Sequence, residues 1–557
     1  MMSDRNSQIP PRASWLWPSW LDGWSLAAGL VAVVVLAPML SVVWLALTAS
    51  GNIWPHLLAT VLPRYLAATL RLMLAVGGLT ALMGVGTAWL VTMYRFRGSR
   101  VISVILLFPL AIPAYVGAYA LVDFLDYSGP LQRALRAAFG WTSARDYWFF
   151  EIHSEPMAAL VLSAALYPYV YLLTRAALRE QSGASYEVAR ALGLGPWALF
   201  WRLGLPLVRP AVAVGVALAM METVADFGTV ATFGVQTLTT GVFSTWLNGG
   251  NAGGAAQISG VILALVLGLV SLERYSRRNA RFYAQARASR PVVAQDLAGW
   301  RGALALLACA LPFCLGFVLP VAVMAGHALA KPETWAAAGL GQAALNTVLV
   351  AGVAAVVTVA AALVLVYAAK LARRRFAQAV LPLTALGYAA PGAVLAVGIL
   401  LPLAALDHRL ADFVLAISGS DPGLMLTGTA VAIILAYVVR FFGIAQGAVD
   451  AGFGRIAPSL PMAARALGRG PAATLRAIYL PLMRGSVGSA LLVVFVDCVK
   501  ELPATLLLRP FNFNTLSTRV YELASLERIG EAAPAALIVT AVGLVAVLAL
   551  ARSSQSD

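Results

Sequence analysis

Apolar residues run along this chain in long blocks, not in the alternation of a strand or the stripe of a surface helix. The blocks fall near 24–48, 66–93, 101–125, 156–178, 207–227 and 254–272, and again near 301–326, 342–369, 379–405, 424–442, 485–507 and 532–552. A helix crosses a hydrocarbon core about 30 Å thick with roughly 20 residues. Backbone polar groups in lipid must be satisfied within the spanning segment, which favours helices. The pattern therefore predicts an all-α polytopic membrane protein with about 12 transmembrane helices. Composition sharpens this. Of 557 residues, 61% are hydrophobic and 11% charged, and the mean hydropathy is +0.83. A soluble domain carries about 25% charged residues. A soluble enzyme, a disordered chain and a secreted disulfide scaffold are excluded.

The formal charge of +15 follows from the excess of Lys and Arg in cytoplasmic loops, so nucleic acid is not an expected partner and membrane lipid is. With both termini cytoplasmic, the basic loops fall on one side: Arg95, Arg97 and Arg100; Arg175, Arg179, Arg190 and Arg202; Arg274, Arg277, Arg278, Arg281, Arg287 and Arg290; Lys370, Arg373, Arg374 and Arg375; Arg455, Arg465, Arg469 and Arg476. The opposite loops are poorer, although Arg133, Arg136, Arg509, Arg519 and Arg528 sit there. All four histidines, His56, His153, His327 and His408, then face outward, either as plain loop polarity or as a pH-sensitive docking surface. Trp15, Trp17, Trp20 and Trp24 precede the first span as an interfacial aromatic belt. Cys309, Cys314 and Cys498 lie in apolar runs and form neither a disulfide framework nor a metal-ligand pattern.

The chain repeats itself. Thr69 and Pro113 recur as Thr347 and Pro391, 278 residues later. Ala189-Arg190-Ala191-Leu192-Gly193 recurs letter for letter as Ala464-Arg465-Ala466-Leu467-Gly468, 275 residues later, and Leu205-Pro206-Leu207-x-Arg209 as Leu480-Pro481-Leu482-x-Arg484. Six spans per half is an even number, so the repeats are parallel and related by an axis along the membrane normal. The expected organisation is a first half at 1–272, an Arg-rich cytoplasmic linker at 273–300 and a second half at 301–557. A pathway between the halves is the natural reading.

Each half carries a polar segment between its fourth and fifth spans, at 186–206 and 461–481. The first runs Glu187-Val188-Ala189 to Gly193, then nine residues to Leu203 and on to Pro206; the second runs Met462-Ala463-Ala464 to Gly468, then nine residues to Ile478 and on to Pro481. The pattern predicts helix, turn, helix. Gly193 and Gly468 supply a left-handed helix end, and Pro196 and Pro471 open the next helix. Ionisable residues inside spans are functional candidates by default. Glu222 and Asp226 sit near the outer end of the fifth span, and Asp497 and Glu501 at the equivalent place in the eleventh. Each pair is spaced i, i+4 and shares a helix face. These acids either line a cation pathway or sit hydrated and paired, with Lys500 neutralising Asp497 at i+3. The three lysines, Lys331, Lys370 and Lys500, are followed by Pro, Leu and Glu, so none is a P-loop lysine and this chain is not expected to be an enzyme.

The duplicated segment resembles the EAA signature of ABC-importer permeases: Glu-Ala-Ala, three residues, Gly, nine residues, Ile-x-Leu-Pro. Val188 and Met462 depart from it. Lys500-Glu501-Leu502-Pro503-Ala504-Thr505 and Ala225-Asp226-Phe227-Gly228-Thr229 look like the ferric-iron branch of those permeases, as does the layout of two halves in one chain. The resemblance implies a type I ABC importer permease-like fold in a bacterial inner membrane. It implies coupling of a separate ATPase dimer through Glu187, Ala189, Arg190, Gly193, Pro206, Ala463, Ala464, Arg465, Gly468 and Pro481. It also implies Fe(III) delivered by a periplasmic binding protein and alternating access. ATP and Mg would belong to the ATPase, with no cofactor in this chain. Relatives of the same layout carry thiamine, aminophosphonates or polyamines, so cargo stays open. An ion-coupled secondary transporter is the weaker alternative.

Overall fold

A computed structural model describes residues 23–48, 54–278, 293–372 and 375–553. Trp15, Trp17, Trp20, Arg281, Arg287, Arg290, Arg373 and Arg374 lie outside the described residues. The first half consists of α1 (Gly23–Thr48), α2 (Leu62–Met93), α3 (Ser99–Ile105), α4 (Ala114–Leu125), α5 (Pro130–Phe139), α6 (Glu155–Arg179), α7 (Gly183–Ala191), α8 (Pro196–Leu199), α9 (Leu205–Ala225), α10 (Gly228–Thr232), α11 (Leu238–Phe243) and α12 (Ala252–Arg278). The second follows the same order: α13 (Gly299–Phe313), α14 (Leu319–Ala330), α15 (Leu340–Ala372), α16 (Arg375–Thr384), α17 (Gly392–Ser418), α18 (Val431–Gly454), α19 (Ser459–Ala466), α20 (Pro471–Thr474), α21 (Arg484–Lys500), α22 (Pro503–Leu508), α23 (Leu516–Ser525) and α24 (Ile529–Ser553). Among the described residues, 10 helices are long and apolar enough to cross a membrane, and up to 12 if each sharply bent pair counts as one span.

The differences from the expected spans have local causes. Block 101–125 is no single rod: its helices bend by 94°. Pro113 lacks an N–H and forces Ile112 into an extended conformation (φ −99°, ψ 128°). Pro391 does the same to Ala390 (φ −76°, ψ 123°). The helix beyond it, α17, runs past the expected end at 405 to Ser418. Asp407 lies within it, and its buried carboxylate accepts from the backbone N–H groups of Met425, Leu426 and Thr427 at 2.8–3.1 Å. Asp407 thereby ties down the loop before α18, which begins at Val431 instead of 424.

Helices α2, α6 and α9 pack as one triangle and α15, α18 and α21 as its counterpart. The first span of each half crosses to the other: α1 lies on α15 and α17, while α13 and α14 lie on α2, α3 and α4. Glycines permit the close approach. A methyl on Gly398 would collide with the Pro38 carbonyl, and one on Gly316 with the Ala164 carbonyl. The halves are thus interlocked around one core, in which Ala28, Val35 and Val42 of α1 join Ala393 and Val397 of α17. Where the chain re-enters after 292, β2 (Gln295–Asp296) pairs in parallel with β1 (Tyr94–Arg95) and fixes the start of the second half to the end of α2.

The repeat is written in hydrogen bonds. The Leu238 N–H donates to Thr69 Oγ1 at 3.0 Å, and the Leu516 N–H to Thr347 Oγ1 at 2.8 Å. Thr237 and Thr515 form matching capping boxes at the starts of α11 and α23.

Candidate functional site

The cavity between the halves is built by two helices that stop inside the bundle. At the end of α9, Asp226 turns extended (φ −69°, ψ 135°). Its Oδ1 accepts from the N–H groups of Thr229 (2.9 Å) and Val230 (3.1 Å), and Oδ2 from Thr229 Oγ1 (3.0 Å). At the end of α21, Glu501 does likewise with the N–H groups of Ala504 (2.9 Å) and Thr505 (3.1 Å) and with Thr505 Oγ1 (2.9 Å). Each carboxylate caps the short helix after the break, where N–H groups lack internal partners. Half of the acids singled out from the sequence therefore hold the chain in shape.

All four acids nonetheless reach one cavity of about 150 Å³, together with Pro113, Tyr169, Tyr388, Arg440 and Lys500. As expected, the acids stand at the ends of their helices, α9 and α21; the cavity they reach is lined by Leu162, Ala165, Leu166 and Tyr169 and is therefore level with the middle of α6. Helices α9 and α21 end there, and α10–α11 and α22–α23 fill the remaining thickness. The Asp497–Lys500 pair expected at i+3 forms at 3.1 Å. Glu222 accepts from Tyr388 Oη at 3.1 Å and lies 3.8 Å from Arg440 Nη2.

Sequence reasoning missed Arg440 and Tyr388. Arg440 had a signal, being a lone cation inside the apolar run 431–442. Tyr388 had none, because its partner Glu222 is distant in sequence. The i, i+4 faces were read correctly, but which acid is spent on a cap depends on the fold beyond the helix end. Among the described residues, no three of His, Cys, Asp and Glu are placed to hold a metal ion.

The second candidate region is the pair of helix–turn–helix segments. After α7 the Leu194 N–H reaches the Ala189 carbonyl (3.1 Å) and the Gly193 N–H that of Arg190 (2.9 Å); after α19 the Arg469 N–H reaches Ala464 (3.0 Å) and the Gly468 N–H reaches Arg465 (3.0 Å). This double closure requires a left-handed residue, and Gly193 and Gly468 have φ of +82° and +77°. Pro196 and Pro471 occupy the first turns of α8 and α20. Ala189 and Ala464 face inward, Arg190 is half-buried, and Glu187, Ala463 and Arg465 are exposed. Pro206 and Pro481 lie near the starts of the helical segments that follow. Leu192 and Leu467 project at the two tips, 78% and 82% exposed. An aromatic at one repeat position, Trp89 on α2 and Tyr367 on α15, backs each segment. Trp89 packs on Tyr186 and Phe200, and Tyr367 Oη donates to the Pro471 carbonyl at 2.7 Å.

Two of the histidines have partners distant in sequence: His327 Nε2 lies 2.8 Å from Asp123, and His153 Nδ1 lies 3.1 Å from the Thr232 carbonyl. The loop 126–155 folds as α5 plus a stack of Phe139, Trp141 and Tyr147. Its Asp146 carboxyl is held below its ordinary range by the backbone N–H groups of Ser143 and Thr142.

Interlocked pseudo-symmetric halves, helices broken at mid-depth and a charged cavity between them define a membrane permease. The comparisons agree: the family described as binding-protein-dependent transport system inner membrane component matches residues 80–280. The Fe(3+)-transport system permease protein FbpB 2 of Haemophilus influenzae is 27% identical over 85% of this chain and 86% of its own length. The molybdenum transport system permease protein ModB of Escherichia coli is 30% identical over 35% of this chain and 87% of its own length. A putative ferric transport system permease protein, FbpB 1 of H. influenzae, is 23% identical over 80% of this chain and 70% of its own length. The chain belongs to this family of inner-membrane permeases of ABC importers.

Proposed function

We propose that this permease imports Fe(III), handed over by a periplasmic binding protein and driven by a separate ATPase dimer. The observation that carries the cargo reading is the charge of the cavity. Four carboxylates, Glu222, Asp226, Asp497 and Glu501, meet two cations, Arg440 and Lys500, which leaves a formal excess of negative charge. Such a lining attracts hard cations and repels oxyanions of the kind the molybdenum relative's name implies. It disfavours an aminophosphonate cargo as well, and leaves thiamine or a polyamine as the competing reading. The two relatives named for ferric iron, each matched over at least 80% of this chain, support the same choice.

The segments at 186–206 and 461–481 are the proposed docking elements for the ATPase, on the cytoplasmic side with both termini. Their exposed tips, Leu192 and Leu467, are suited to a groove on a partner. ATP-driven closure of the ATPase dimer draws the tips together, the halves tilt about their interlocked core, and the cavity opens outward; hydrolysis reverses this. Because no lysine here suits a P-loop, ATP and Mg are assigned to that partner. Uptake of radiolabelled ferric iron under iron limitation tests the proposal. Deletion is expected to abolish uptake and the wild-type gene to restore it. Unchanged iron uptake in a strain without redundant systems removes the cargo assignment, and thiamine and polyamine uptake then decide between the rivals.

A further inference from the structure

The acids of the cavity obey the internal repeat and its cations break it. Glu222 corresponds to Asp497 and Asp226 to Glu501, but the positions matching Arg440 and Lys500 are Ala165 and Ala225. Both cations come from the second half, and both reach into the first. Arg440, on α18, lies 3.4 Å from Glu501 of its own half and 3.8 Å from Glu222 of the other. Lys500 Nζ binds Asp497 and donates to the Leu110 carbonyl of the first half at 3.1 Å. The space for Arg440 is kept by Gly392: a methyl there would collide with both Glu501 Oε1 and Arg440 Nη1.

An acidic cavity at mid-membrane is expensive while empty, and its charge would draw any small cation that reached it. We infer that Arg440 is a tethered counter-ion that latches the two halves and bars the cavity to cations between transport cycles, with Lys500 as a weaker second tether. The inference rests on the cavity being the transport pathway. When the halves separate, the Glu222–Arg440 pair parts, because its members sit on opposite halves. Arg440 then stays with Glu501, and Glu222 is freed to meet cargo. The latch thus makes the cavity more attractive to a cation in the open state than in the closed one.

The test uses the full chain with its ATPase partner, reconstituted in liposomes that enclose a dye quenched by Mn²⁺, without nucleotide. Wild-type vesicles are expected to be tight. Arg440→Gln, which removes the charge from a buried pair, is expected to raise Mn²⁺ influx about tenfold or more. Arg440→Lys, which keeps the charge, is expected to stay within about twofold of wild type. Tight Arg440→Gln vesicles overturn the latch, and so does Arg440→Lys leaking as much as Arg440→Gln, since shape and not charge would then be at work. If Arg440→Gln does not assemble, Glu222→Gln, which removes the first-half anchor and leaves Glu501 in place, carries the test: raised influx supports the latch and unchanged influx overturns it. The assay needs neither iron nor binding protein, so loss of the ferric-iron reading leaves its result standing. If Asp497→Asn and Glu222→Gln both leave cargo uptake at wild-type level, the cavity is not the pathway, and that outcome is distinct from a failed latch.

Discussion

The two halves are copies in backbone and unequal in charge. Helix ends, capping carboxylates, the Thr69 and Thr347 bonds and the left-handed glycines recur at matching positions. The cavity cations occur in one half alone. Backbone rules act on every copy alike: a helix that ends at mid-depth needs a cap wherever it occurs. A central cavity, in contrast, is a single object shared by both halves. A cation placed from either side offsets its charge, so selection on charge need not respect the repeat. The helix–turn–helix segments show the same split. Their turns are alike, but Glu187 stands in the first where Met462 stands in the second, and Trp197 and Trp201 surround only the first.

The largest effect should come from the turns. Gly193→Pro or Gly468→Pro forces φ towards −65° where +82° or +77° is needed. It also removes the N–H that binds the carbonyl of Arg190 or Arg465. Each is expected to reduce cargo uptake to background while the protein stays inserted, measured by uptake and membrane fractionation. Full uptake by one variant and none by the other would show that the halves couple unequally. A smaller effect is expected at the matched threonines. Thr69→Val and Thr347→Val each leave one buried N–H, of Leu238 or Leu516, without its acceptor. That should cost about 1–3 kcal/mol each. Thermal unfolding in detergent should fall by similar amounts in the two variants, and a large disparity would break the equivalence of the halves. The smallest effect concerns Asp146, whose turn has no counterpart in the repeat. Its carboxyl titrates below its ordinary value because it accepts from Ser143 and Thr142. A lowered carboxylate pKa gives stability that is present at neutral pH and lost as pH falls through the folded value. Amide protection at Thr142 and Ser143 should hold through mild acid and drop only below the ordinary carboxylate range, whereas Asp146→Asn should lower it at every pH.

Much of this was legible in the residues themselves. Hydrophobic blocks located the spans because lipid tolerates few charges. Shared offsets exposed the repeat, and Gly-x-x-Pro spacing gave the turns because φ > 0 and a first-turn proline are local demands. The Asp497–Lys500 pair was legible because three residues on a helix bring them together. The role of Asp407 was not legible, because its partners at 425–427 lie beyond the helix end. Arg440 was visible as an oddity but not as a bridge.

By itself the sequence determined the class of molecule, its twofold plan, the turns and the presence of acids within the spans. All of these rest on periodicity, composition or contacts within one helical turn. Only the tertiary structure decided that the first spans exchange halves, that the acids lie at mid-depth, that Asp226 and Glu501 are consumed as caps, and that Arg440 joins Glu222 to Glu501 across the interface. These depend on segments tens to hundreds of residues apart. No local rule specifies which side chains meet when two halves interlock; the close packing of the assembled bundle does.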